Sequence, residues 1–395
     1  MAVSTRRATR LIWVPLLLVA VLGLPALWGT RSFWAPTRDD APTQLASVPV
    51  PGQPNSLAWS ADGGYLAAGT WGTAAGEPGS GEVFVVDVAK ASVAATLKAT
   101  GWVGGLAFSP DGKWLAVATR QSVPTGPAPA ELVVFDVPAF TPKLTARAGG
   151  AETGFIDLAW AADNKALYAI EGPAEYVQGN SEIRSWNVPA LTEQPAIRVP
   201  QTLRGLAVSP DGRTLAVAEK AASNARLIRL FDLGKGKEQA EFKVGDDNGT
   251  PRLGFTPDGK AVGVYDGHLL ALSWWEVVTD VVTGRPAAPN LARFATQPAG
   301  LSDDPSHSSL SPDGSRLARG YEKHRGLGDL GWDNRANEFG AFVEVTQSAP
   351  EKVWTWRVGE EASAPAVAFS PDGTRLAGTV GQAGGASILI WAVPR

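Results

Sequence analysis

Four residues spread along the chain, Asp157, Arg204, Arg252 and His307, are of types that could together hold a small polar ligand. A carboxylate, two guanidiniums and an imidazole supply both signs of charge and directional hydrogen bonds. The same side chains could instead satisfy one another as a salt-bridge group. A second set falls within one stretch, EKHRGLGDLGWDNRANEFG at 322–340. Its Lys323, His324, Arg325, Trp332, Asp333, Arg335 and Phe339 mix aromatic and charged groups, the blend that anchors protein interfaces. The plain alternative there is a solvated loop.

Neither set spells out a catalytic centre. The three histidines, His268, His307 and His324, lack the spacing of a metal site. No Gly-x-Ser-x-Gly elbow and no phosphate-binding loop is present. Asp303-Asp304 is a lone acidic pair, well short of a calcium loop. The absence of cysteine removes disulfides, thiolate metal sites, a cysteine nucleophile and an acylated lipoprotein cysteine. A net charge of −4 gives no reason to expect nucleic acid as a partner. No metal and no cofactor is expected.

The elements that must position these residues repeat. Leu106–Thr119 reads LAFSPDGKWLAVAT, and near-copies stand at Leu57–Thr70, Leu158–Ile170, Leu206–Glu219, Leu253–Asp266, Ser309–Tyr321 and Val367–Val380. In each, two apolar runs flank a turn. Proline presets φ, aspartate accepts backbone N–H bonds and glycine supplies φ > 0, so each copy reads as a hairpin. The turn aspartates, Asp62, Asp111, Asp163, Asp211, Asp258, Asp313 and Asp372, are therefore structural. They recur at nearly the ~40–50-residue period of a four-stranded propeller blade.

A third β-type run follows each hairpin, from Glu82–Val88 in the first unit to Ile388–Val393 in the last. Several end in an aromatic–acid or related pair, as in Phe135-Asp136, Trp186-Asn187 and Phe231-Asp232. On these features residues 45–395 resemble the WD40 and TolB-like β-propeller families. The Gly-His pair of a full WD40 repeat is missing and the Trp-Asp positions are degenerate, so the repeats are WD40-like. The resemblance implies an all-β, seven-bladed propeller of four-stranded blades.

Fourth strands are expected at Val93–Ala99, Lys143–Ala148, Ala196–Val199, Ala240–Val244, Leu291–Thr296 and Lys352–Val358. The seventh unit has none after its third strand. Leu45–Val50, which has no other partner, is expected to complete that blade and close the ring, removing open sheet edges. Each first strand carries a small residue and then a larger one, as in Ala58-Trp59, Ala107-Phe108 and Ala159-Trp160. Strand residues alternate faces, so the small ones face crowded neighbours and the large ones fill the space between blades.

In this strand order the SPDG turns occupy one face of the ring. The connections between second and third strands occupy the other, together with the entries to first strands. Those connections are long at Trp71–Gly81, Arg120–Ala130, Glu171–Ser181 and Glu322–Gly340. Long loops on a rigid scaffold are the usual seat of binding residues, so a protein partner is expected on that face. The long link Thr279–Ser308 joins the fifth and sixth units. Asp157, Arg204, Arg252 and His307 would meet at the channel mouth, the seat of the alternative function: a propeller enzyme or small-ligand receptor.

The N-terminus addresses location. A basic segment, 1–10, precedes the uncharged run Leu11–Trp28, which reads as a signal peptide or an uncleaved hydrophobic helix anchored in the membrane. Trp13, Trp28 and Trp34 sit near its ends, where interfacial aromatics lie. Arg6, Arg7 and Arg10 place the N-terminus in the cytoplasm and the ring on the far side, in the periplasm. If the signal is cleaved, the ring is secreted there. Residues 29–44 read as a tether. The sequence thus describes a non-catalytic interaction platform in the cell envelope.

Overall fold

The computed structural model describes residues 42–70, 80–120, 130–150, 152–173, 179–220, 226–245, 252–255, 258–266, 271–278, 281–286, 308–313, 315–323, 340–348, 351–359, 366–382 and 385–393. Among them the regular structure is β throughout. A leading strand, β1 (Gln44–Val50), precedes the repeats. β2 (Pro54–Trp59), β3 (Tyr65–Thr70), β4 (Ser80–Asp87) and β5 (Ser92–Thr100) form sheet 1. Sheet 2 holds β6 (Trp102–Phe108), β7 (Trp114–Arg120), β8 (Glu131–Asp136) and β9 (Pro142–Arg147). Sheet 3 holds β10 (Thr153–Trp160), β11 (Ala166–Pro173), β12 (Ser181–Asn187) and β13 (Thr192–Val199).

Sheet 4 is β14 (Leu203–Val208), β15 (Thr214–Lys220), β16 (Arg226–Asp232) and β17 (Lys237–Gly245). Sheet 5 is β18 (Arg252–Phe255), β19 (Ala261–Asp266), β20 (Ala271–Val278) and β21 (Val281–Pro286). Sheet 6 is β22 (Ser308–Leu310), β23 (Arg316–Lys323), β24 (Gly340–Ser348) and β25 (Glu351–Gly359). Sheet 7 gathers β26 (Val367–Phe369), β27 (Arg375–Gln382) and β28 (Gly385–Ala392), and its fourth strand is β1. Val48 lies opposite Ile388 and Val50 opposite Ala386, so strands more than 300 residues apart complete one sheet.

Side-chain alternation lets one strand serve two neighbouring sheets. Val83 and Val85 of β4 pack with Val103, Phe108, Leu115 and Val117 of sheet 2. Phe84 and Val86 point the other way, to Val48, Val50, Ile388 and Ile390 of sheet 7. Further apolar layers join sheets 2 and 3, 3 and 4, 4 and 5, and 6 and 7. Because both faces are covered, the second strands read as unbroken buried runs, as in β3 and β7. The outer strands differ: β5 buries Leu97 and exposes Ser92 to Ala94, Thr96 and Lys98.

The small–large pairs of the first strands have a specific use. The Trp160 indole N–H donates to the carbonyl of Ala107 in the preceding sheet at 3.0 Å. Trp59 makes the same bond to Ala368 at 3.0 Å, joining sheet 1 to sheet 7. The alanine leaves room for the ring to reach its backbone. Arg375 lies 5.1 Å over the Trp59 ring and covers the contact from the turn side.

The SPDG turns behave as their chemistry dictates. The Ser60, Ser109, Ser209, Ser311 and Ser370 hydroxyls donate to Asp62, Asp111, Asp211, Asp313 and Asp372 at 2.5–2.6 Å. Each of these carboxylates also accepts a backbone N–H two residues on. Asp163 and Asp258 accept the corresponding N–H of Lys165 and Lys260. The third repeat has Asn164 where others have glycine, at φ 58°, the left-handed conformation asparagine tolerates best after glycine.

One expected strand is misplaced. The fourth strand of sheet 5 is β21, Val281–Pro286, and Leu291–Thr296 lies outside the described residues. Val281 and Val282 pair directly with Val278 and Val277, so a local β-branched hairpin closes before a longer connection can. The link to sheet 6 accordingly begins after Pro286 rather than at Thr279.

Candidate functional site

The face opposite the SPDG turns is built on fixed loop bases. Thr70 ends β3, and its hydroxyl accepts the Glu82 N–H at 2.9 Å where β4 resumes. Thr119 does the same for Glu131 at 2.7 Å and returns a bond to the Glu131 carbonyl at 2.9 Å. Thr202, at the entry to sheet 4, clasps both the N–H and the carbonyl of Gly179 from sheet 3, at 2.9 and 3.0 Å. Threonine suits this task because one hydroxyl can accept and donate together. The segments that start and end at these clasps therefore leave the sheets from set positions.

Charged groups buried between strands tie the middle of the same sheets together. Arg184 pairs with Glu171 at 2.8 Å and Glu193 at 2.7 Å, and stacks 5.3 Å from both Phe155 and Trp186. Burial alone would lower the Arg184 pKa, but Glu193 and Glu171 outweigh it and hold the guanidinium above its ordinary value. Glu171 also accepts the Gly149 N–H at 2.6 Å and the Thr153 hydroxyl at 3.2 Å, fixing the passage from sheet 2 to sheet 3. Sheet 4 repeats the device: Arg229 meets Glu219 at 2.6 Å, Glu238 at 2.9 Å and Glu241 at 2.7 Å. In sheet 6 Arg319 meets Glu344 at 2.7 Å.

The residues expected at the channel mouth fall into two groups. Asp157 turns one carboxylate oxygen to the Leu158 N–H at 2.9 Å and the other to the Leu206 N–H of sheet 4 at 3.0 Å. Arg204 is buried and donates to the Pro173 carbonyl of sheet 3 at 3.1 Å. The two side chains thus cross between sheets 3 and 4 in opposite directions. First strands have a free inner edge, so their N–H groups need acceptors from elsewhere. Ser309 of sheet 6 does the same for the Phe369 N–H of sheet 7 at 3.0 Å. Arg252 opens β18 opposite Tyr265; its side chain, and His307, lie outside the described residues.

Sequence reasoning misses Arg120. It closes β7, and its side chain lies along Gly104 of the inner strand, where any Cβ would come within 3.5 Å of it. Gly154 of sheet 3 sits so close that a Cβ would be 2.8 Å from the Arg120 backbone. In the chain these glycines are legible only as small residues; the arginine that fills the space they leave is not.

In the 322–340 stretch, Lys323 is a strand residue, opposite Gly340 in the β23–β24 ladder, rather than part of the loop. His324, Arg325, Trp332, Asp333, Arg335 and Phe339 lie outside the described residues, as does the hydrophobic run 11–28. Among the described residues, no helix is long and apolar enough to cross a membrane, and no group of three or more His, Cys, Asp or Glu could hold a metal ion.

Comparison with known proteins agrees with this architecture. The family model for the WD domain, G-beta repeat, matches residues 92–122, from β5 through β7. The β-propeller domain of Myceliophteria thermophila Cps50 (Swd1) is 14% identical with a TM-score of 0.64, covering 89% of this chain and all 100% of its own. Kuenenia stuttgartiensis hydrazine synthase is 17% identical at the same TM-score of 0.64, covering 88% of this chain and 97% of its own. No curated protein matches. The chain is a WD40-like β-propeller protein. Identities this low establish the fold alone, and the fold hosts many unrelated functions.

Proposed function

We propose that the chain is a non-catalytic protein-interaction platform, a seven-bladed ring closed by β1 and tethered to the outer side of the cytoplasmic membrane by residues 11–28. WD40 propellers commonly serve as scaffolds for protein partners. The observation that carries the reading is the set of threonine clasps at Thr70, Thr119 and Thr202, which gives the long connections of one face rigid starting points. Loop ends held this way need no further ordering when a partner binds. Resemblance to TolB-like propellers makes a bacterial envelope complex the natural setting.

The alternative, an enzyme or small-ligand receptor at the channel mouth, has less support, because Asp157 and Arg204 are already engaged between sheets 3 and 4. Crosslinking and pull-down from membranes tests the choice, comparing the intact chain with one in which 324–339 is replaced by Asn-Gly. Lys323 and Gly340 already face each other across the ladder, so a two-residue turn can join them. A partner captured by the intact chain and lost by the variant is expected. Equal capture by both chains would remove this loop as the interface.

A further inference from the structure

The outer strand of a sheet turns a row of backbone N–H and C=O groups outward, a template for another strand unless something blunts it. Most outer strands here are blunted. β1 carries Pro49, β9 Pro142 and β13 Pro195, while β17 spreads Lys237, Glu238, Glu241 and Lys243 along its length. Shifts in register also interrupt the pairing of β1, β5, β9, β13, β17 and β21 with their inner neighbours. Such irregularities twist an edge away from a would-be partner.

β25 differs. Among the described residues it is the last strand of sheet 6. From Glu351 to Arg357 it pairs without interruption with Ser348 to Phe342, and its one irregularity falls beyond Arg357. The next longest regular run, Ala95–Thr100 of β5, has Lys98 in its midst. The β25 run reads EKVWTWR, with β-branched and aromatic residues at its centre and charges only at its ends. Trp354 and Trp356 face sheet 7, where the Trp356 ring lies 5.5 Å from that of Trp391. Val353 faces the other way and is 52% exposed, large and apolar though it is.

The run is complementary to itself. Two copies laid antiparallel about a two-fold axis at Trp354 set Glu351 opposite Arg357 of the second copy, at both ends. Val353 then faces Thr355, Trp354 faces its own counterpart and Lys352 faces Trp356. Opposite-charge and aromatic cross-strand pairs are stabilising, and no like charges meet. The Lys352 ammonium already lies 5.8 Å over the Trp354 ring, the kind of contact it would make with Trp356 of the second copy. Arg357 donates from Nε to the Gly359 carbonyl at 3.3 Å; with five N–H donors, a guanidinium can bond there and to a carboxylate together. Moving the axis to Val353 or Thr355 sets Glu351 opposite Thr355 or Gly359 and loses both ion pairs, so charge fixes the register.

We infer that two copies of this chain associate through β25, sheet 6 of one ring continuing into sheet 6 of the other as one antiparallel sheet. The inference is independent of the tether and of any partner on the long-connection face. A single strand pair is a small contact, so association belongs in the micromolar range.

Sedimentation of the full-length chain in detergent measures the dimer, and circular dichroism checks that each variant folds. Arg357→Glu alone, or Glu351→Arg alone, sets like charges opposite at both ends and should raise Kd roughly tenfold or more. The double variant restores opposite charges in reversed order and should recover most of the loss. A monomer throughout the micromolar range overturns the inference. So does a dimer that ignores the single variants, or a folded double variant no better than they are. A cysteine pair reads the register without inverting any charge, because the chain has no cysteine of its own. Trp354→Cys stands opposite itself and should oxidise to a covalent dimer. Lys352→Cys should not, since its counterpart is four residues along, about 13 Å away and past the ~7 Å a disulfide can span. Crosslinking at 352 but not at 354 overturns this pairing.

Discussion

If sheet 7 closes on sheet 1 as tightly as sheet 2 packs on sheet 3, then Trp59→Phe and Trp160→Phe should cost the same. Each substitution removes one indole N–H bonded to an alanine carbonyl at 3.0 Å in the preceding sheet. A buried acceptor left without its donor costs about 1–3 kcal/mol, and the lost ring atoms add a smaller packing term. Phenylalanine keeps an aromatic face for Arg375, which sits 5.1 Å from the Trp59 ring, so that contact weakens without vanishing. A loss of about 2 kcal/mol is expected at each site. Urea unfolding followed by circular dichroism measures both, with the slope of the transition checking that the unfolded reference is unchanged. A loss of about 2 kcal/mol for Trp160→Phe beside less than ~0.5 kcal/mol for Trp59→Phe would refute closure at this seam.

Two further outcomes follow from the turn and clasp geometry. The Ser370 hydroxyl, 2.5 Å from Asp372, is the leading cause that holds this carboxyl down from 3.8 to about 2. A depressed folded-state pKa gives stability that is complete above the ordinary value and is lost as pH falls toward about 2. Ser370→Ala should move the Asp372 titration back toward 3.8, read by NMR of the side-chain carboxyl, and raise the pH of acid unfolding; a carboxyl still titrating near 2 would assign the shift elsewhere. Thr119→Val should free the Glu131 N–H from its 2.7 Å bond, costing roughly 1 kcal/mol and speeding hydrogen exchange at Glu131 while Leu132 stays protected. Unchanged exchange at Glu131 would show that the clasp does not hold the loop base.

The repeating unit is written in contiguous residues: the SPDG turns, most strand positions and the need for Leu45–Val50 to complete the seventh sheet. Proline, aspartate and glycine set backbone angles without reference to anything distant, and an apolar run without a partner announces that it must find one. Which side chains serve neighbouring sheets is visible only in the folded chain. Asp157 and Arg204 read as ligand-binding groups because their charge is plain in the sequence, while the Leu206 N–H and Pro173 carbonyl that engage them belong to neighbouring sheets. Arg120 escapes notice for the same reason, since the glycine-lined space it fills exists only once β6 and β10 are side by side. The fourth strand of sheet 5 is settled by competition between two apolar segments, and proximity favours Val281–Pro286. Turn chemistry is local and so legible; the pairing of polar groups across sheets depends on which strands come to face one another.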